Sequence, residues 1–228
     1  MSALATNESL TRSVEDYLKA IYRLSPEGQP ASTRDIAQLL ELSAPSVSGM
    51  IKRLSEQGLL EHEPYKGVQL TPDGRRAALR IVRRHRLIEA YLVAFLGYSW
   101  DTVHDEAERL EHAVSDTLIE RMAEALGNPG ADPHGDPIPA ADGSVSEIAG
   151  VPLADVPPGE TVELRRVDAH HPDRLRYLAS MGLRPGAVVT VVDHQPFRGP
   201  IALRVGADER VIAHELGEAL MCTPLETR

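Results

Sequence analysis

His104, Glu108, Glu111 and His112 lie within nine consecutive residues. On a helix, residues three or four apart share a face. Glu108, Glu111 and His112 are spaced i, i+3, i+4 and therefore converge, while His104 lies one turn behind Glu108. Two carboxylates and an imidazole meeting at one spot suit a divalent transition metal. The competing reading is a solvated acidic helix face. His85 and Glu89, spaced i, i+4, form a second pair, and an isolated pair of this kind is more often a surface hydrogen bond than a metal site. The element that carries the first set is a helix opened by Asp101 at its N-cap or first turn. Val103, Ala107, Leu110 and Val114 form a separate apolar stripe that packs it down.

The chain has 228 residues, a formal net charge of -10 and 42% hydrophobic residues, enough for two or three small domains. No apolar run approaches the ~20 residues that span a bilayer. Met1 to Arg12 lack the apolar core of a signal peptide. The single cysteine, Cys222, excludes an intramolecular disulfide and fits a reducing cytoplasm. Charge is uneven. Residues 43–86 hold nine basic side chains against four acidic ones, whereas residues 101–126 hold eight acids against Arg109 and Arg121. One region suits phosphates and the other cations.

A first helix is expected over Ser13 to Leu24, with Val14, Leu18, Ile21 and Tyr22 inward and Asp16 beside them. Residues 32–74 read as a winged helix-turn-helix. Ser32 or Thr33 caps a short helix over Asp35 to Leu40. A second helix starts near Ala44 with Pro45 in its first turn, where proline is tolerated. Val47, Ile51 and Leu54 form its buried stripe. Ser43, Ser46, Ser48, Gly49, Lys52 and Arg53 face outward, small enough at the N-terminal end to approach a DNA groove. Two short strands flank Tyr65-Lys66-Gly67, a wing with a basic tip at Lys66. The competing reading is a helical bundle with an incidental hairpin.

Thr71-Pro72 opens a long helix to about Leu96, and a further helix runs from about Ser115 to Leu126. Its apolar positions Leu118, Ile119, Met122, Ala123 and Leu126 exceed what intrachain packing needs, which points to a dimer seam. Residues 127–158 are rich in proline and glycine and read as a linker, with His134 exposed to solvent. From residue 159 onward short alternating segments imply a small β-barrel. His170, His171 and Asp173 sit at its rim, where a polar loop is the alternative to a metal role. His214, Glu215 and Glu218 read as surface residues.

The chain resembles the diphtheria toxin repressor family of metal-dependent transcriptional regulators, its manganese-responsive branch in particular. The resemblance rests on Val14-Glu15-Asp16-Tyr17-Leu18, Ser43-Ala44-Pro45-Ser46-Val47-Ser48, Arg84-His85-Arg86-Leu87, residues 103–112 and Gly135-Asp136-Pro137-Ile138-Pro139. It implies a mainly α protein with a small β part. A winged helix-turn-helix would occupy residues 1–74 and a helical metal-binding and dimerisation domain 75–140. A linker over 141–158 would then lead to an SH3-like β-barrel over 159–228. It implies a primary metal site of Asp16, Glu108, Glu111 and His112 and an ancillary site of His85, Glu89 and His104. His171 is the best candidate ligand from the SH3-like domain, with Asp173 next. Iron-responsive members carry methionine and cysteine where this chain has Asp16 and Glu108. Carboxylates are harder ligands, so the implied ion is Mn2+, with Fe2+ as the alternative. Lys19 stands where short manganese regulators carry a second glutamate, which disfavours a close binuclear pair.

The implied function is a cytoplasmic homodimeric repressor of metal-uptake genes. It would bind a palindromic double-stranded operator through Ser43, Pro45, Ser46, Ser48, Gly49, Lys52, Arg53 and Lys66, with no membrane partner. Two other classes compete. A ferritin-like enzyme wants Glu-x-x-His on each of two helices, and the chain has no such pair. A winged-helix regulator of an organic ligand would leave the acidic cluster incidental.

Overall fold

The computed structural model describes residues 10–25, 28–63, 66–146, 149–168 and 171–225. Most of Met1 to Arg12, the wing residue Tyr65 and His170 lie outside them. The chain divides into two compact units, residues 1–84 with 139–144, and residues 85–138 with 145–228. Among the described residues no helix is long and apolar enough to cross a membrane.

The first unit opens with α1 (Arg12–Leu24), which buries Val14, Tyr17, Leu18, Ala20 and Ile21. Next come α2 (Thr33–Leu39), α3 (Ala44–Glu56), and strands β1 (Leu60–Glu63) and β2 (Gly67–Leu70). Local chemistry sets the helix starts. The Ser32 hydroxyl accepts from Asp35 N–H and the Ser43 hydroxyl from Ser46 N–H, each satisfying a backbone donor of the first turn. Gly58 ends this stretch at φ 73°, a left-handed conformation that glycine adopts without strain. The strands pair antiparallel from Leu60 opposite Leu70 to Glu63 opposite Gly67. Ala31 and Val68 exchange two backbone bonds at 2.9 Å, which fixes the hairpin to the segment before α2. The core gathers Leu18, Ile21, Ile36, Val47, Ile51, Leu54, Leu60 and Val68. This is the winged helix expected from the sequence.

Thr71 starts α4 (Pro72–Leu96). Its hydroxyl donates to Gly58 O at 2.7 Å and accepts from Gly74 N–H at 3.0 Å. Gly74 lies so close to Leu59 that a Cβ would run into the Leu59 carbonyl oxygen. Helix start and wing are thereby packed together.

In the second unit the rest of α4 packs with α5 (Val103–Leu110) and α6 (Asp116–Ala125). α5 is capped by Thr102 rather than Asp101 and ends with Glu111 as its C-cap, earlier than the sequence pattern suggests. Leu87, Ile88, Leu92, Val103, Ala107, Ile119, Ala123 and Ile138 form this core, with Met122 and Leu126 against it. The apolar set on α6 is therefore largely consumed within the chain, and Leu118 alone of the five stays exposed.

The β part begins earlier than residue 159. Strand β3 (Val151–Pro152) pairs with β8 (Leu220–Pro224), and a single helical turn, Leu153–Asp155, follows. The other strands are β4 (Thr161–Val167), β5 (Val188–His194), β6 (Ile201–Val205) and β7 (Asp208–Ile212). Helices α7 (Pro172–Ser180) and α8 (His214–Glu218) complete it. The sheet order is β3-β8-β4-β5-β6-β7. Val151 and Pro152 belong to the fold and not to a linker because Leu153, Ala154 and Val156 are buried in the β core. Trp100, from the segment before α5, is buried in that same core.

Gly74→Ala should lower stability by about 1–3 kcal/mol, since the clash is with backbone. Gly49, by contrast, would place a Cβ in open space. Gly49→Ala should therefore stabilise α3 by up to about 1 kcal/mol. Urea denaturation of the full chain reads both, and equal midpoints for the two variants would contradict this packing.

Candidate metal centre

His85 and Glu89 project from one face of α4, and His104 and Glu108 from α5. Glu111 and His112 follow at the end of α5. The His85 ring lies between two buried carboxylates. Its Nδ1 is 2.6 Å from Glu111 Oε2 and its Nε2 is 2.9 Å from Glu89 Oε1. His104 Nδ1 is 3.0 Å from both His85 Nε2 and Glu89 Oε1. Three potential ligand atoms thus form a triangle with edges near 3 Å. Adjacent ligands of an octahedral ion with bonds of about 2.1 Å are separated by about the same distance. His104 Nε2 is 3.6 Å from Glu108 Oε1, and His112 Nε2 is 3.3 Å from Glu111 Oε1. Glu111 is 0% exposed and Glu89 1%, which is unusual for carboxylates unless they are paired or coordinate a cation.

Burial alone would raise the Glu89 carboxyl. Hydrogen bonds from His104, His134 and His85 outweigh it and hold the group well below the usual carboxylate range. The donor set is oxygen and imidazole nitrogen without sulfur, which fits a divalent first-row metal. His85, His104 and Glu108 each offer a ligand atom within 4.8 Å of the others, as do Glu89, Asp132 and His134.

His134 is not solvent-exposed. It is 5% exposed, in a loop that the sequence pattern marks as a linker. Asp132 Oδ1 accepts from the backbone N–H of His134 at 2.8 Å and of Asp136 at 3.0 Å, and so closes the loop on itself. His134 Nε2 donates to Trp100 O at 2.7 Å, and the ring stacks on Trp100 with centroids 5.7 Å apart. Nδ1 faces Glu89 Oε2 at 3.6 Å. His134 O accepts from Val167 N–H at 2.9 Å, and Asp136 pairs with Arg166 at 2.7 Å, so the loop is bonded to β4. Gly135, at φ 86°, passes so close to Arg165 O that a Cβ would not fit. Burial, then the charges of Asp136 and Glu89, push the Asp132 carboxyl up to about 7. Burial would lower the His134 imidazole, but the hydrogen bond and charge of Glu89 raise it to about 9. Sequence pattern alone does not single out Asp132 or Trp100. Asp-x-His-x-Asp is the available signal, and Pro/Gly composition masks it.

Asp16 is half-buried on α1 in the first unit. His171 caps α7, where its Nδ1 accepts from Asp173 N–H at 3.4 Å. Its side chain is 68% exposed, and it joins none of the ligand groups found among the described residues. On α3, Ser43, Pro45, Ser46, Ser48, Gly49, Lys52 and Arg53 are all exposed, while Val47, Ile51 and Leu54 face the core. Lys66 is exposed at the wing and pairs with Glu63 at 2.6 Å.

Three family descriptions match the chain in order. They are the N-terminal DNA binding domain of iron dependent repressors over residues 9–68, their metal binding and dimerisation domain over 71–140, and the FeoA domain over 151–224. The chain is 33% identical over 198 residues to the diphtheria toxin repressor of Corynebacterium efficiens, covering 82% of this chain and 86% of that one. The chain belongs to the diphtheria toxin repressor family. The iron-dependent repressor IdeR of Mycobacterium leprae is also 33% identical, over 223 residues, covering 92% of this chain and 96% of the relative. Among solved structures, a manganese-dependent transcriptional repressor in complex with manganese matches at a TM-score of 0.85 and 41% identity. That match covers 93% of this chain and 100% of the other. ScaR with bound Cd2+ matches at 0.80 and 34%, over 93% and 99% of the two chains. This member of the family is thus a metal-dependent transcriptional repressor with a DNA-binding domain, a dimerisation domain and a C-terminal SH3-like FeoA domain.

Two outcomes follow from this geometry. An unfolded imidazole titrates near 6.5. The His134 contribution to stability is therefore complete below about pH 6.5 and lost as pH rises through about 9. Asp132 is raised to about 7, so its own effect on the slope fades above that pH. Metal-free protein should lose stability between about pH 7 and 9, and His134→Gln should flatten that loss, as read by thermal melting in chelator. Separately, Lys66→Ala should weaken binding to all DNA sequences alike and reduce the salt slope by about one. An unchanged slope would remove the wing from the DNA contact.

Proposed function

We propose that this repressor responds to Mn2+, with Fe2+ as the second ion. Its primary ligands would be Glu108, Glu111 and His112, with Asp16 as the fourth by family resemblance. His85, Glu89 and His104 would be the ancillary set. The observation that carries this reading is the buried His85 ring held between Glu89 and Glu111, with His104 beside it. Carboxylates at Asp16 and Glu108 favour the harder ions over the softer preferences of a thioether and thiolate pair. The solved relatives include a manganese-dependent repressor with manganese, while the relatives matched by sequence include iron-dependent repressors.

A bound cation supplies positive charge that lets the buried carboxylates approach one another. Without it Glu89 and Glu111 rely on imidazoles for compensation, and the arrangement of α4 and α5 depends on proton occupancy. The residues that hold the cation therefore also set the relation of these helices, and through it the affinity for DNA. The chain would act as a cytoplasmic homodimer on a palindromic operator, with half-sites about one or more helical turns apart. Outward Ser43, Pro45, Ser46, Ser48 and Gly49 would approach the groove, and Lys52, Arg53 and Lys66 the phosphates. Repression of metal-uptake genes when metal is plentiful would be its output, and no residue is assigned a catalytic part.

Asp16→Ala and Glu111→Ala should each abolish manganese-stimulated operator binding while leaving dimer and fold intact. Titration of operator DNA with and without manganese measures this, and undiminished stimulation in both variants overturns the primary assignment. Replacing Asp16 by Met and Glu108 by Cys together should move activation toward iron(II) under anaerobic conditions. An unchanged metal order would place selectivity elsewhere.

A further inference from the structure

The first unit holds a small polar cavity that neither the metal ligands nor the outer face of α3 accounts for. Its volume is about 130 Å³, and it lies between the end of α1, the segment leading to α2, strand β2 and the start of α4. Tyr22, Ser25, Gly28, Gln69, Leu70 and Arg75 line it. We propose that this cavity binds one phosphate-class oxyanion, either a free ion or a phosphate of the DNA backbone. No metal ligand takes part.

The lining supplies donors and a positive charge. Arg75 is charged at any pH the protein meets, and its guanidinium carbon lies 5.3 Å from the centre of the Tyr22 ring. The ring attracts that charge without neutralising it. Arg76, the next residue, pairs with Asp73, whereas Arg75 has no carboxylate partner among the described residues. The Ser25 hydroxyl is buried and has no hydrogen-bond partner, an unfavourable state that an oxyanion relieves by accepting its proton. Gln69 Nε2 donates to Gly28 O at 2.5 Å, which fixes the amide and leaves its second proton to give. No carboxylate is among the described lining residues to repel an anion. A water could satisfy the hydroxyl, but only an anion also compensates the guanidinium, whose planar fork matches a phosphate. The cavity is well below the ~300–1,000 Å³ of pockets for larger organic ligands, which restricts the occupant to a small ion or one phosphate group.

The cavity joins three parts of the DNA-binding unit. Tyr22 and Ser25 belong to the end of α1, Gln69 to the second strand of the wing, and Arg75 to the start of α4. An oxyanion held by Ser25 and Arg75 links α1 to α4 beside the base of the wing. Gln69 lies on the strand that begins at Gly67, next to Lys66, so the ion bears on the element that presents the wing's basic tip.

The test follows the amide resonances of Gly28 and Gln69 by NMR while sodium phosphate is added to the full chain at constant ionic strength. Saturable shifts are expected. Arg75→Gln should weaken the binding by about tenfold or more, and Ser25→Ala by severalfold. Melting in phosphate-free buffer verifies that both variants fold, and either one alone suffices for the reading. Arg76→Gln removes an exposed charge outside the cavity and should leave the titration unchanged. In parallel, binding to a random-sequence DNA duplex is measured across a salt series. If the phosphate belongs to DNA, Arg75→Gln lowers the salt slope by about one and Arg76→Gln does not. If it is a free ion, the two variants keep the same slope and only the phosphate titration responds. The proposal is overturned when neither assay singles out Arg75, whether because phosphate causes no saturable shift and the slope is unmoved, or because Arg76→Gln has the same effect as Arg75→Gln.

Discussion

The central constraint is the burial of Glu89. A carboxylate removed from water costs several kcal/mol unless charge and hydrogen bonds replace the solvent. Here the replacement comes from three segments, namely His85 on the same helix, His104 on α5 and His134 in the later loop. Each imidazole faces the carboxylate only if its segment is correctly docked. α4, α5 and the loop must therefore pack together for the charge to be tolerated. Under the proposed function, the same requirement would make the region responsive to cations, because a bound ion and the imidazole protons would compensate the same carboxylates.

A second constraint runs from this cluster into the β domain. Trp100 stacks on His134, accepts its Nε2–H through the backbone, and is itself buried in a core with Leu153, Leu164 and Leu178. Arg184 lies over the Trp100 ring at 5.1 Å, a cation–π contact from the β domain. Arg176 reaches Asp101 at 3.2 Å. The short segment between α4 and α5 is thus held from both sides. The C-terminal domain bears directly on the residues that orient His134. Among the described residues it contributes no side chain to the ligand groups.

The DNA-binding half depends on a different balance. A net charge of -10 is compatible with DNA binding because the acids and bases are segregated along the chain. Ser43 and Thr71 use short hydroxyl side chains to start α3 and α4, and Gly74 lets the second of these helices lie against Leu59. The outer face of α3 is left to small and basic side chains because its apolar residues are committed to the core.

Local pattern determined much of this protein. Helical periodicity placed α1, α3, α4 and α6 to within a residue or two, hydroxyl residues marked the starts of α2 and α4, and the order of helices and hairpin identified the winged helix. The spacing of Glu108, Glu111 and His112 marked a metal-like set, since face-sharing on a helix follows from its pitch alone. Tertiary structure decided the rest. It set His85 between Glu89 and Glu111, buried His134, drew Trp100 into the β core, and recruited Val151–Pro152 and Leu220–Pro224 to one sheet. These outcomes depend on partners distant in sequence. A proline-rich loop reads as a linker when its composition is considered alone. It becomes a packed element only because Arg86, Glu89, Trp100 and Arg166 supply the charges and surfaces that offset the cost of burying it.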